Sequence, residues 1–326
     1  MKRFRWALLI LLIAAARPAW AQRVVVFPLE QAKGTPSTSW IGTGLAVALD
    51  EALTHGGVLN IPFEDLRRYY EQGGLVESPT FSLPAQIGLS RQLGAGVLIQ
   101  GSYEVSGDML VVQLSAYGLS GDLRLLGEWR ESQDLQGLLG LTRKLGEDIF
   151  KAMDRTWTPP PQISPQAFES YIRGRITTDP TLQEVYFRKA TEIQPDYYDA
   201  RCYLAMILKD TGRITESSNI LVELEKQTYS KAYLGLLTMA DIRMDEGKLA
   251  EARRLLLASL KASESPEAHI GLARLYLKQM KYKEAQTELV VAEKFGTHRD
   301  DIEALRAQIQ QAIDKPQPEK AGEEGP

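Results

Sequence analysis

The residues able to do chemistry in this chain are few and scattered. His55, His269 and His298 are its histidines, and none stands at the spacing that lets imidazoles, thiolates and carboxylates converge on zinc. Cys202 is the single cysteine, so no disulfide can form within the chain; on a helix it fills a small apolar gap or lines a groove. Glu128, Glu131 and Asp134 are the nearest carboxylate cluster. Such a cluster works as an acid and base when burial drives two pKa values apart, and at a strand end it serves equally as a solvated edge. Gly42-Thr43-Gly44 opens like a nucleotide loop, but Val47 occupies the third glycine position and no phosphate-loop lysine is present. These glycines read as close-packing positions at a helix start. No Gly-x-Ser-x-Gly turn occurs. The expectation is therefore no catalytic residue, no metal and no cofactor, and a chain that is not an enzyme.

The elements that could position a binding surface are more legible. Ala205, Ala240 and Ala273 recur at intervals of 35 and 33 residues, and a period near 34 marks a helix-turn-helix solenoid. Leu204, Ala205 and Leu208 fall on one helical face, where the small Ala205 lets a second helix approach. Gly212 ends that helix, and Ser217, Ile220, Leu221 and Leu224 form the stripe of the next. The pattern returns at Met239, Ala240, Gly247, Ala252, Leu255, Leu256 and Leu260. It returns again at Leu272, Ala273, Tyr276, Met280, Tyr282, Ala285, Leu289 and Ala292. An earlier unit keeps Phe187, Ala190 and Pro195 but has a shortened loop near Asp179-Pro180. These residues resemble the tetratricopeptide repeat. The resemblance implies about four units over 166–314, the first degenerate, closed by a polar end helix that carries Glu303, Arg306, Gln308, Gln310 and Gln311.

The amino terminus reads as an address. Lys2, Arg3 and Arg5 precede an apolar run of 11 residues from Trp6 to Ala16, and Ala19-Trp20-Ala21 follows. This is the layout of a secretory signal peptide over 1–21, and the run is too short for a bilayer, which takes about 20 residues. No cysteine follows the cleavage site, so lipid attachment there is excluded by chemistry. The leader holds four of the 38 basic residues and no acid, so the rest carries 34 basic against 42 acidic residues. That balance gives no basic face for nucleic acid. The expected location is the periplasm, or outside the cell in an organism with one membrane, with no stable membrane span after cleavage.

From 22 to 154 the texture changes to strands and helices. Val24-Val25-Val26-Phe27 reads as a buried strand, 40–53 as an amphipathic helix, 58–61 as a short strand and 83–93 as a helix. A strand at 97–103, a Ser106-Gly107-Asp108 turn, alternating Leu110, Val112 and Leu114, and a turn at Ser120-Gly121-Asp122 lead to a third strand at 123–130. Asp134 caps a helix that buries Leu138, Leu141, Leu145 and Ile149. The fold class is an α+β domain, an antiparallel meander with packed helices, followed by an all-α tetratricopeptide solenoid. The residues Phe27-Pro28, the helix from Gly42, and Leu93-Gly94-Ala95-Gly96-Val97-Leu98-Ile99-Gln100-Gly101-Ser102 resemble the TolB-type amino-terminal domain. Phe168-Glu169-Ser170-Tyr171-Ile172-Arg173-Gly174-Arg175 is similar to the segment that joins such domains to repeats. Between the halves, 155–165 contains Pro159-Pro160-Pro161 and reads as a stiff linker. Residues 315–326 read as a disordered tail by composition.

The repeat resemblance also implies where a partner would lie. The concave wall is built from first-helix positions, which here are Asp199, Cys202, Met206 and Lys209; Leu234, Leu237, Asp241 and Met244; and Glu267, Ile270, Arg274 and Leu277. The partner-binding set is Met206, Lys209, Leu237, Asp241, Met244, Ile270, Arg274 and Leu277, with a flexible apolar spine suited to varied ligands. The lysine and asparagine set by which some such repeats clamp a terminal carboxylate is not at these positions. The expected function is a non-enzymatic scaffold for a protein or peptide of the bacterial envelope, with the TolB-like domain docking a second component. Assembly or activation of a secretion or wall-synthesis machine is the alternative, and a carboxylate enzyme the remote one.

Overall fold

Strands form first where apolar residues face both ways. In the computed structural model, which describes residues 23–72, 81–227, 229 and 231–314, Val24, Val25 and Val26 are all buried and form β1 (Val24–Val26). A strand covered on both faces reads as a continuous apolar run. It pairs in parallel with β3 (Asn60–Ile61) and with β4 (Val97–Ser106). Between them in sequence, β2 (Glu30–Lys33) also runs parallel to β4, beyond the break at Phe27-Pro28-Leu29. β5 (Met109–Gly118) and β6 (Arg124–Asp134) complete an antiparallel meander with β4. The sheet order is β3-β1-β4-β5-β6, so the meander of the sequence forms one half of a mixed sheet.

Helices close both faces. α1 (Trp40–His55) packs on β1 and against α4 (Leu138–Ala152), which also packs on β6. Asp134 accepts the Gly137 N–H at 2.7 Å and so caps the turn into α4. α2 (Phe63–Gln72) and α3 (Leu83–Gln92) bury Leu66, Tyr70 and Leu89 with Val25, Phe27, Ile61 and Leu98. Gly42 sits inside α1, where a Cβ would lie 2.1 Å from the Leu29 carbonyl oxygen. The glycine therefore permits a helix to pass over backbone, in keeping with a packing role.

The described part of the chain divides into two compact units at Leu204/Ala205. The first contains the sheet domain together with α5 (Pro165–Ile176), α6 (Pro180–Ile193) and the start of α7 (Tyr198–Asp210). The proline-rich stretch is laid against this unit rather than standing free as a spacer. Trp157 packs edge-on to Phe150 and over Gly146, and Arg143 donates to the Pro160 carbonyl at 3.1 Å. Burying one large indole anchors a segment that backbone stiffness alone would only extend.

A charged group holds α5 in place. Arg175 is 4% exposed; its guanidinium pairs with Glu64 and, at 3.5 Å, with Glu51, and donates to the Tyr171 hydroxyl at 3.2 Å. Tyr171 in turn donates to Glu51 at 2.7 Å, and Tyr203 donates to Glu64. The rings of Phe63, Tyr171 and Tyr203 lie 5.1 to 5.7 Å from the guanidinium carbon. Burial works against the charge, yet Glu64 and Glu51 outweigh it and keep Arg175 protonated. Burial likewise pushes the Tyr171 phenol up, so it remains a neutral donor.

The second unit holds the rest of α7, then α8 (Ile214–Leu224), α9 (Ala232–Asp245), α10 (Leu249–Ala262), α11 (Pro266–Lys278), α12 (Tyr282–Glu293) and α13 (Arg299–Asp314). Ala205, Ala240 and Ala273 are fully buried, as are Ser217, Ala252 and Ala285 on the partner helices. The three loops close alike: Arg213, Lys248 and Lys281 donate backbone N–H groups to Leu208, Arg243 and Tyr276 carbonyls. This six-residue closure needs a left-handed residue just before the donor. Gly212 and Gly247 supply it at φ 83 and 75, and in the third loop Met280 adopts it at φ 57. α13 does more than solvate the end, since Ile302, Leu305 and Ile309 enter the core around Ala273, Ala285 and Leu289. The leader 1–21, the greater part of the irregular stretch from Val76 to Phe81, and the tail 315–326 lie outside the described residues.

Arg175→Met is expected to destabilise the first unit by about 3–5 kcal/mol, because it leaves two carboxylates buried without their cation; urea denaturation measures this, and a loss below about 1 kcal/mol contradicts the assignment. Met280 is exposed and in a conformation that costs an L-residue about 1–2 kcal/mol. Met280→Gly should therefore raise stability by about 0.5–1 kcal/mol, after the entropy that glycine loses on folding, read as a higher urea midpoint at unchanged slope.

Candidate functional site

The first helix of each repeat offers one face to its own second helix and leaves another for the wall. Buried Leu204, Ala205 and Leu208 belong to the packed face. Met206 and Lys209 are half-buried beside it, and so are Leu234, Leu237 and Asp241 one repeat on. Asp199 and Cys202 are both buried, which settles Cys202 as a filler. The wall is thus narrower than the periodicity suggests.

Two spine residues are spent on packing. Ile270 is 3% exposed and sits in the cluster of Ala273, Ala285, Leu289 and Ala292. Met244 is 4% exposed at the end of α9. Leu277 packs at the edge of the Ile270 cluster and stays half-buried, while Arg274 is exposed. The accessible wall is therefore Met206, Lys209, Leu237, Asp241, Arg274 and Leu277.

Charge ties the wall together. Lys209 Nζ lies 3.3 Å from Asp241 Oδ2 and 3.7 Å from Asp210 Oδ1, and Lys278 Nζ lies 3.9 Å from Asp245 Oδ1. Successive first helices are thus bridged by lysine–aspartate pairs, a pairing that appears when positions are counted from the repeated alanines. Below the wall, His298 Nε2 meets Glu267 Oε1 at 3.2 Å, and His269 Nδ1 meets Glu288 Oε2 at 2.7 Å. At the loop after α9, Lys248 and with it Arg243 holds the Glu246 carboxyl below the usual carboxylate range. His55 is exposed at the end of α1.

The carboxylate cluster does not converge. The pleat of β6 sends Glu128 and Glu131 to opposite faces. Glu128 accepts from Ser115 at 3.3 Å, Glu131 pairs with Lys144 at 2.7 Å, and Asp134 is the helix cap. A cleft of about 280 Å³ does exist in the first unit, between α1, α4 and the 160–163 strap. Its buried acid, Glu51, is the acceptor already engaged by Tyr171 and Arg175. What remains there is a polar recess with a committed acid.

Residues 243–309 match the tetratricopeptide repeat family. No curated protein matches the chain in sequence. Among solved structures, a monomeric mutant of IFIT1 with m7Gppp-AAAA is similar at 16% identity and TM-score 0.40, over 53% of this chain and 44% of that one. The chain thus spans less than half the length of that structure. The LpoB C-terminal domain from Salmonella enterica is similar at 13% identity and TM-score 0.27, over 38% of this chain and 90% of that one. Lipoprotein GNA1162 from Neisseria meningitidis is similar at 15% identity and TM-score 0.30, over 41% and 98%. Likeness at this level is topological and assigns no activity. Among the described residues no helix is long and apolar enough to cross a membrane.

The Lys209–Asp241 bridge is partly exposed, so its coupling should be small. A double-mutant cycle with Lys209→Ala and Asp241→Ala should give about 0.5–1 kcal/mol, falling at high salt. A coupling above 2 kcal/mol would mark the pair as part of the core.

Proposed function

We propose that the chain is a non-enzymatic scaffold of the bacterial cell envelope, exported by its leader, which holds a partner protein or peptide on the first-helix wall of its repeats. The observation that carries this reading is the tetratricopeptide match over 243–309, together with a wall of accessible side chains at repeat positions. Repeats of this kind are protein-interaction modules, and the wall here combines apolar Met206, Leu237 and Leu277 with charged Lys209, Asp241 and Arg274. An apolar anchor flanked by charge suits a segment that buries one or two side chains and is steered by its polar rim. The preceding region, 22–154, is proposed as a TolB-type module that docks a second envelope component, with 166–314 as the repeat region. The charged start, short apolar run and Ala-x-Ala site of 1–21 support export.

Leu237→Asp places a charge at the middle of the wall on a half-buried position, where folding tolerates it better than at Met244 or Ile270. Affinity capture from envelope extracts with wild type and variant, compared by mass spectrometry, should show a discrete protein lost from the variant. Its affinity, measured with that protein purified, should fall at least tenfold while the melting temperature moves by only a few degrees. Equal capture by both chains removes the wall as the binding surface.

A further inference from the structure

The outer face of the repeats carries a second pattern at the same period. Seventeen residues beyond Ala205, Ala240 and Ala273 stand Val222, Leu257 and Val290; twenty-one beyond stand Lys226, Lys261 and Lys294. The aliphatic residues lie on α8, α10 and α12 and are 48%, 42% and 52% exposed. The lysines, one helical turn further on, are exposed as well. Each second helix thus presents the same rung, an aliphatic side chain followed by an ammonium.

Fold stability accounts for only part of this. A lysine near a helix C-terminus complements the macrodipole. That leaves the aliphatic residue unexplained, since a water-facing position is ordinarily polar. The charges are also uncompensated: among the described residues no ion pair engages Lys226, Lys261 or Lys294. The acids that precede two of them are occupied elsewhere, Glu225 by Arg254 at 2.9 Å and Glu293 by Arg306 at 3.1 Å. Glu264, three residues from Lys261, makes no pair with it. Arg254 reaches from α10 to α8, so consecutive rungs are neighbours.

We propose that this ladder is a second docking surface, for an elongated acidic segment of a partner protein with aliphatic side chains set among its carboxylates. The charge row demands an anionic ligand, the aliphatic row one with apolar side chains, and their recurrence a ligand that is itself extended and repetitive. An acidic-aliphatic segment, disordered when free, has that chemistry. A lipid surface fits less well: interfacial binding draws on a large apolar face with bulky residues, whereas each rung offers one half-buried aliphatic side chain beside paired glutamates. The surface is distinct from the inner wall and extends the scaffold reading to two ligands.

The probe is a fluorescent synthetic peptide of repeated Glu-Leu-Glu-Ser units, titrated with the full chain by anisotropy. Saturable binding is expected, weakened at least tenfold by K226E/K261E/K294E and by raising salt from 50 to 500 mM, and at least threefold by V222S/L257S/V290S. Leu237→Asp, on the inner wall, should bind as wild type, so failure of the wall reading is distinguished from failure of this one. All six positions are exposed, and circular dichroism checks folding; if the glutamate variant is unfolded, K226Q/K261Q/K294Q gives the same readout with a smaller loss. Absence of binding, equal binding by the charge variants, or equal affinity for phosphatidylserine vesicles overturns the proposal.

Discussion

Arg175 is the constraint on which the first unit depends. A guanidinium sealed from water is tolerable only when carboxylates and aromatic faces replace its hydration shell, and each replacement comes from a different element. Glu51 comes from α1, Glu64 and Phe63 from α2, Tyr171 from α5 itself and Tyr203 from α7. Because no one element satisfies the charge, α5 can dock only when the sheet domain's helices are already in place. Apolar packing would allow sliding along a helix groove. A charge with fixed donors does not, so the cluster sets register as well as affinity.

Neighbouring residues of the same short segment reinforce it. Arg173 pairs with Glu169, lies 5.7 Å over the Trp40 ring and donates to the Ser37 carbonyl at 3.2 Å. Gly174 between the two arginines leaves room for Phe187 of α6, whose ring would meet a Cβ at 2.7 Å. One arginine faces the core, the other the rim, and the glycine lets the next helix close. The helical hairpin α5–α6 is thereby part of the first unit's structure even though Phe187, Ala190 and Pro195 read as a repeat.

The sequence announced what short-range rules govern. Buried alanines at a constant period, glycines at left-handed loop positions, the Gly107 hairpin and the Asp134 cap each need only neighbours a few residues away, and the structure places them as the spacing implies. What it withheld depends on distant partners. β2 is Glu-Gln-Ala-Lys, with no apolar alternation, and is a strand only because β4 offers it a ladder. α2 begins at Phe63 after a proline and shows its stripe only through Leu66 and Tyr70 against the sheet. Of the candidate wall, Met244 and Ile270 had the right register but were absorbed into packing. Periodicity identifies a face; it does not say how much of that face the next helix covers.

The two faces of the repeats differ in how their charges are spent. On the inner wall each cation has an anion from the adjacent repeat, Lys209 with Asp241 and Lys278 with Asp245. Such pairs contribute little to stability when exposed, but they leave the wall nearly neutral and set the spacing between first helices. On the outer face the cross-helix pairs use arginines, Arg254 and Arg306, and consume the glutamates that would otherwise neutralise the lysines beside them. An arginine holds a carboxylate with a rigid fork while a lysine keeps a mobile, hydrated charge. The same residue economy therefore stiffens the solenoid and leaves a row of free ammonium groups, so the asymmetry between an inner neutral wall and an outer cationic ladder follows from which cation each helix places within reach of the next.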